Sequence, residues 1–215
     1  MENLQCEDIV EEEDEEYDGP LEIINGEIVG KPDFEIIDGE KFIMSSQDLI
    51  HATIRANIGY IFAKYIDDKN IKARAFFSRT DVFLSEDNHL MPDCMVICDL
   101  KLLENGKFVD GAPDLIVEVL SYSTMRNDLG KKKAAYERNG VKEYWIVDPW
   151  SKRIEVYHLI NRKFELDEVY KYHTEEEFAE LDEEDKKTVK NYIKVSIFED
   201  LQVDIRKVFK WWFDD

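Results

Sequence analysis

The chain has 215 residues, of which 44% are hydrophobic, and this is enough to bury a sizeable core in one domain. Its formal net charge of −21 counts against a broad basic surface for binding nucleic acid. No apolar run approaches the roughly 20 residues of a membrane span, and the N-terminal residues lack the basic start and apolar centre of a signal peptide. We therefore expect a cytoplasmic protein that makes no membrane contact.

The charge is distributed unevenly along the chain. Acidic residues are dense at 7–16 and 175–185, whereas the segment from Arg126 to Arg138 is net basic. The distribution of charge matters more for a binding surface than its sum. We interpret residues 1–31 as an acidic arm, solvated or disordered, residues 32–209 as the folded domain, and residues 210–215 as a short tail.

The first elements of the domain are a hairpin and a long helix. FEIIDGEKFIM, residues 34–44, places Asp38-Gly39 as a turn between two apolar strands. The similar LEIINGEIV at 21–29 is either a second hairpin or a duplication of the first. Residues 47–68 carry apolar side chains at helical spacing.

Strands and one further helix dominate the remaining sequence. The patterns predict strands at about 71–77, 80–85, 92–98, 114–120, 142–148, 153–160 and 163–170. They predict helices at about 124–139, ending near Asn139-Gly140, and at 175–187, and an amphipathic segment at 200–213. This order predicts an α/β or α+β fold, in which helices pack on a sheet.

Glu118 is a lone carboxylate inside an apolar strand. Strand alternation places it on one face with Ile116 and Leu120, and Leu115 and Val117 on the other. A buried carboxylate is costly unless it is paired or binds a metal. Glu118 therefore lies at an exposed edge, pairs with one of the lysines that follow, or contributes to a metal site.

A metal site at Glu118 requires a second carboxylate, and the sequence offers Asp114 and Asp93. Two oxygens on one Mg²⁺ lie within about 4 Å of each other. Asp114 is four residues from Glu118 on the same strand, which separates the two backbones by roughly 13 Å. Asp93, at the start of another apolar strand, can meet Glu118, so we prefer Asp93 and interpret Asp114 as a turn or strand-start residue.

The lysines at 131–133 follow this strand on a predicted helix. Met125, Leu129 and Tyr136 define an apolar stripe, and Lys132 lies nearest to it. Lys132 either turns back toward Glu118 or extends its ammonium into water. Cys94 and Cys98 are interpreted as buried thiols rather than metal ligands.

Several segments together resemble a known family. They are FEIIDGEKFIMS, MPDCMVIC, PDLIVEVLSYST, DLGKKKAAYERNGVKEYWIVDP and RIEVYHL, within residues 33–209. They are similar to the large bacterial “putative restriction endonuclease” family (Uma-two) of the PD-(D/E)XK nuclease superfamily. The resemblance implies a restriction-endonuclease-like mixed β-sheet flanked by helices, and an endonuclease that hydrolyses DNA with Mg²⁺ or Mn²⁺.

The resemblance also implies roles for particular residues. Asp93 and Glu118 take the two acidic metal-binding positions, and the carbonyl of Val119 is a further ligand. The superfamily lysine usually stands two residues after the acid, where this chain has Leu120. In this family the lysine is relocated to the next helix, which corresponds to Lys132.

Other possibilities remain open at this stage. His51 is either a surface or capping histidine of the long helix, or a residue near the metal that touches substrate or an acidic ligand. The chain is either a nuclease or an inactive module of the same fold whose acidic arm recruits a basic partner. The aromatic segment 208–213 packs either into a second copy, as a homodimer, or on its own sheet.

Overall fold

The structure is a computed structural model of the chain, and it describes residues 22–24, 27–29, 34–44, 48–121, 125 and 128–210. The chain divides into two compact units, residues 1–32 and 33–215. In the first unit, β1 (Glu22–Ile24) pairs antiparallel with β2 (Glu27–Val29), as expected for a second hairpin. The acidic residues 7–16 lie outside the described residues.

The second unit contains most of the regular structure. Its elements are β3 (Phe34–Ile37), β4 (Glu40–Ile43), α1 (Leu49–Asp68), β5 (Arg74–Phe76), β6 (Val82–Ser85), β7 (Asn88–Leu90), β8 (Cys94–Ile97), a 3₁₀ turn (Leu100–Leu103), β9 (Val109–Asp110), β10 (Leu115–Val119), a π-helical turn (Asp128–Lys132), α2 (Lys133–Asn139), β11 (Glu143–Asp148), β12 (Arg153–Ile160), β13 (Lys163–Lys171), α3 (Glu175–Glu180), α4 (Glu183–Thr188), β14 (Tyr192–Lys194), β15 (Gln202–Asp204) and α5 (Ile205–Val208).

Two mixed sheets organise this unit. The six-stranded sheet has the order β13-β12-β11-β10-β8-β5, and the five-stranded sheet has the order β4-β3-β7-β6-β9. Strands β10 and β11 are parallel, and the other neighbours of the six-stranded sheet are antiparallel. The α2 helix lies in the connection between β10 and β11, as parallel strands require a crossover. The predicted mixed sheet flanked by helices is confirmed.

Strand β10 separates two hydrophobic clusters. Leu115, Val117 and Val119 belong to the cluster that contains the apolar face of α1. Ile116 and Leu120 belong to the cluster that contains α2 and the apolar side chains of the five-stranded sheet. The alternation predicted from the sequence is therefore confirmed, and the central strand is buried on both faces.

Helix α1 packs on the first cluster through one regularly spaced stripe. The stripe consists of Ile54, Ile58, Phe62 and Ile66. Asp48 is the N-cap, and its side chain accepts a hydrogen bond of 2.8 Å from the backbone N–H of His51. The helix consequently begins at Leu49, two residues after the predicted start.

The predicted helix at 124–139 is not a regular α-helix throughout. Met125 is α-helical, residues Asp128–Lys132 form a π-helical turn, and α2 follows from Lys133. Because a π turn holds one residue more than an α turn, it shifts the side chains that precede it around the axis. Leu129, expected on the buried stripe, is 45% exposed, whereas Tyr136 is fully buried.

The C-terminal part differs from the sequence pattern in two places. The predicted acidic helix at 175–187 is two helices, α3 and α4, because Asp182 starts the second as its N-cap. Within 200–213, β15 and α5 place Val208 and Phe209 against the first cluster. This part packs on its own chain, and residues 211–215, with the rest of the proposed dimer contact, lie outside the described residues.

The helices within the described ranges were also compared with the requirements of a membrane span. None is both long enough and apolar enough to cross a bilayer.

Candidate functional site

Asp93 and Glu118 lie at one end of the six-stranded sheet, Glu118 within β10 and Asp93 just before β8. In the antiparallel register of β10 with β8, the last pair at this end is Val117 with Cys94, the residues next to Glu118 and Asp93. Oδ2 of Asp93 accepts a hydrogen bond of 2.9 Å from the N–H of Val119. Both carboxylates are buried, with 7% of Asp93 and 2% of Glu118 exposed. The carboxylate of Asp93 is therefore in direct contact with the β10 backbone beside Glu118.

Lys132 reaches Glu118 from the layer that contains α2. Its Nζ lies 3.3 Å from Oε1 of Glu118, and the lysine is only 3% exposed. Tyr136, four residues later, donates a hydrogen bond of 2.7 Å from its hydroxyl to the same Oε1. The end of the π-helical turn therefore directs two donors to one carboxylate, and such turns occur frequently at functional sites.

Tyr136 is held in its protonated form by its surroundings. Its side chain is fully buried, and burial, followed by the negative charge of Glu118, raises the pKa of the phenol well above its usual range. A protonated hydroxyl can donate to Glu118 throughout the neutral pH range. The phenol therefore acts as a constant donor that orients the carboxylate.

His51 contacts the other carboxylate from the opposite face of the sheet. It lies in the first turn of α1 and is 4% exposed, and its Nε2 is 3.1 Å from Oδ2 of Asp93. Its Nδ1 is buried and has no hydrogen-bond partner within the described part of the chain. Its backbone N–H is capped by Asp48 while its ring faces the acidic residue, so the surface alternative does not apply.

Glu35 is a member of this cluster that sequence reasoning missed. Its Oε2 lies 2.9 Å from Nζ of Lys132, and the side chain is 3% exposed on strand β3. The signal that singled out Glu118, a lone carboxylate in an apolar strand, was also present in Phe34-Glu35-Ile36-Ile37. The same pattern could therefore have identified Glu35 from the sequence.

Other charged residues considered from the sequence lie away from the cluster. Asp114 accepts hydrogen bonds of 2.7 Å from the N–H of Cys98 and 2.6 Å from Nζ of Lys142, so it joins strand ends as expected. Lys131 pairs with Glu40 at 2.5 Å on the surface.

The two cysteines of the described region have the properties of inert thiols. Cys94 donates through Sγ to the carbonyl of Arg55, at 3.3 Å, and burial raises its pKa well above the usual value. Burial also raises the pKa of Cys98 to about 11. Thiols with raised pKa values are poor metal ligands at neutral pH.

The donor set was compared with the requirements of a metal ion. In the part of the chain that the structure describes, no three or more His, Cys, Asp and Glu side chains are grouped to hold a metal. Asp93 and Glu118 are two hard oxygen donors, and Mg²⁺ is commonly bound through one or two carboxylates together with water and substrate phosphate. The donor types therefore suit Mg²⁺ or Mn²⁺, and two carboxylates are too few for a closed structural zinc site. The described contact of Val119 is through its N–H.

The chain is similar to known proteins. The family model of Uma2, described as “Putative restriction endonuclease”, matches residues 12–185. A Synechocystis protein named “Uncharacterized protein slr1290” is 27% identical over 140 residues, covering 65% of this chain and 73% of the relative.

A solved structure shares the fold. It is the “putative nuclease belonging to DUF820” from Anabaena variabilis, with a TM-score of 0.62 and 19% identity over 82% of this chain and 89% of that chain. At this level of identity the similarity establishes a common fold. It assigns no residue role to this chain.

Proposed function

Because the chain belongs to the Uma2 family, whose model matches residues 12–185, we propose that it is a metal-dependent endonuclease that hydrolyses phosphodiester bonds of DNA. The observation that carries the proposal is the 3.3 Å contact between Lys132 and Glu118, beside Asp93. Two acidic residues and one lysine at a strand end are the functional set of the nuclease superfamily that the sequence resembles. The residue roles below are part of the proposal.

Asp93 and Glu118 would hold one Mg²⁺ or Mn²⁺ ion. These hard cations prefer carboxylate oxygens, and the carbonyl of Val119 is the proposed additional ligand. When bound, such an ion neutralises charge on the phosphate and makes water a better nucleophile. A local divalent cation also allows an anionic backbone to approach a chain whose formal charge is −21.

Lys132 would act on the scissile phosphate directly. In the reaction, a water oxygen forms a bond to phosphorus, the bond from phosphorus to the leaving oxygen breaks, and a proton is transferred to the leaving oxygen. Negative charge accumulates on the phosphate oxygens in the transition state, and a fixed ammonium stabilises it. Burial keeps water from screening this interaction, because 3% of the lysine is exposed.

His51 and Tyr136 would fix the two acidic residues in place. His51 lies 3.1 Å from Asp93 Oδ2, and Tyr136 donates to Oε1 of Glu118 at 2.7 Å. Such contacts restrict the orientations of the two carboxylates that would bind the cation. His51 would additionally contact substrate through Nδ1, which is buried and lacks a described partner.

The alternative is an inactive module of the same fold. It is supported by Leu120, which stands at the usual lysine position and is buried in the second cluster. The contact of Lys132 with Glu118 argues against it, because this alternative predicts a lysine that points away from the acid.

A cleavage assay distinguishes the two functions. Supercoiled plasmid, single-stranded DNA and RNA would be incubated with Mg²⁺ or Mn²⁺ and the wild-type chain or its Asp93→Asn variant. The matched control is Asp148→Asn, because Asp148 ends β11 and binds only its own turn in the described contacts. If the chain is a nuclease, the wild type should cleave in a metal-dependent way. The Asp93→Asn variant should not cleave, and the Asp148→Asn variant should cleave like the wild type. Absence of cleavage of every substrate by the wild type would favour the inactive module.

A further inference from the structure

Glu35 is a buried carboxylate with two separate contacts at the candidate site. Its Oε2 lies 2.9 Å from Nζ of Lys132, which is closer than the 3.3 Å from that ammonium to Glu118. The side chains of Glu35 and Lys132 are equally buried, and each is 4% exposed. A buried ion pair needs further hydrogen bonds to offset the desolvation of its charges.

The second oxygen of Glu35 supplies such a bond. Oε1 accepts a hydrogen bond of 2.9 Å from the backbone N–H of Met91. Met91 connects β7 of the five-stranded sheet with β8 of the six-stranded sheet and precedes Asp93 by two residues. Glu35 therefore joins the lysine to the segment that carries the first acidic residue.

We propose that Glu35 is a positioning residue that holds the ammonium of Lys132 at the site, an inference that rests on the proposed nuclease function. In the superfamily pattern that the sequence resembles, the lysine stands two residues after the acid on the same strand, where this chain has Leu120. Here the lysine projects from a helical turn, and a flexible four-carbon side chain loses rotamer entropy when it is held. The carboxylate of Glu35, fixed through Met91, confines the ammonium beside Glu118 before substrate binds.

Two other roles would produce different results. If Glu35 were a metal ligand, its loss would remove metal binding as the loss of Glu118 would. If it only stabilised the fold, its loss would lower the free energy of unfolding and leave kcat of the folded protein unchanged. The positioning role predicts that metal binding persists while the ammonium is released and turnover falls.

The test uses Glu35→Gln, the charge-conserving Glu35→Asp, and Glu40→Gln as the matched control. Glu40 is an exposed carboxylate on the adjacent strand β4 that pairs with Lys131, the neighbour of Lys132. Three quantities would be measured on the full chain: the ¹⁵N-detected ammonium NMR signal of Lys132, assigned by its loss in Lys132→Arg; Mn²⁺ binding by calorimetry; and kcat and KM for plasmid cleavage.

We expect Glu35→Gln to remove the Lys132 ammonium signal, to retain Mn²⁺ binding, and to lower kcat by about 10–100-fold with KM little changed. Glu35→Asp should restore part of the signal and of kcat, and Glu40→Gln should match the wild type. An unchanged ammonium signal or an unchanged kcat in Glu35→Gln, or loss of Mn²⁺ binding, would overturn the proposal. If the wild type cleaves nothing, the proposed function fails, and the ammonium signal still decides whether Glu35 holds Lys132.

Discussion

The ammonium nitrogen of Lys132 lies 3.3 Å from Oε1 of Glu118, and both side chains are almost fully buried. Glu118 belongs to a central strand, whereas Lys132 ends a π-helical turn in the layer on one side of that strand. Loss of Lys132 would remove the ammonium that both Glu118 and Glu35 contact. The pair therefore connects the stability of the fold with the chemistry of the site.

Replacement of Lys132 by methionine should destabilise the protein strongly. The change leaves Glu35 and Glu118 without the ammonium between them, and breaking a buried pair from one side typically costs about 3–5 kcal/mol. The matched change Lys131→Met removes an exposed pair with Glu40 and should cost no more than about 1 kcal/mol. Urea unfolding of both variants measures the difference. Equal losses would contradict the buried pairing.

His51→Ala should weaken metal binding more than it weakens the fold. The imidazole lies 3.1 Å from Asp93, a proposed ligand, and loss of such a supporting contact typically reduces metal affinity or activity by about 10–100-fold. Calorimetric titration with Mn²⁺ measures the effect. His158→Ala is the control, since His158 belongs to β12 and approaches only Glu143 and Asp167 in the described contacts. Identical Mn²⁺ affinities for the two variants would exclude a role of His51 in orienting Asp93.

Asp114 should contribute stability that is lost in acid. Burial alone would raise its pKa, but the hydrogen bonds from Lys142 and from the N–H of Cys98 outweigh burial and lower the pKa below 3.8. A carboxylate with a lowered pKa in the folded state stabilises the protein above its unfolded-state pKa. That stabilisation is lost as the pH falls through the folded-state pKa.

Asp114→Asn should therefore reduce the free energy of unfolding by about 1–3 kcal/mol at pH 7. The difference from the wild type should persist down to the ordinary pKa of 3.8 and shrink below it. Guanidinium unfolding at several pH values between neutrality and strong acid measures this dependence. A difference that is independent of pH throughout would argue against the charged interaction.

Gly59→Ala should destabilise the packing of α1. A Cβ at Gly59 would overlap the ring of Phe77, so the aromatic side chain would have to move. Overpacking of this kind costs about 1–3 kcal/mol, which exceeds the gain of roughly 1 kcal/mol from replacing a helical glycine. Gly130→Ala is the matched control, because a Cβ there meets nothing within 4 Å. Thermal unfolding should show a lower Tm for Gly59→Ala alone, and an unchanged Tm would show that Phe77 relocates without cost.

The sequence was most informative about residues whose positions follow from the regular geometry of a single strand. Alternation along β10 correctly assigned its residues to two faces, and strand length directed attention to Asp93 in preference to Asp114. The carboxylate of Asp93 contacts the β10 backbone next to Glu118, where it accepts a hydrogen bond from the N–H of Val119. Such relations depend on strand geometry, which is regular.

Relations between distant segments were not accessible in this way. Glu35 contacts Lys132 because the order of two sheets brings β3 beside the helical turn, and no local pattern encodes that order. The exposure of Leu129 was also missed, because the helical wheel assumed an α-helix where the chain forms a π turn.

The most direct test of the account is calorimetric titration of Mg²⁺ and Mn²⁺ into the wild type, Glu118→Gln and the surface control Glu40→Gln. The account predicts saturable binding by the wild type and Glu40→Gln that disappears in Glu118→Gln. Absence of binding by the wild type, or binding that is unaffected by Glu118→Gln, would contradict a metal site formed by Asp93 and Glu118. Glu118 would then be only a structural partner of Lys132 and Tyr136.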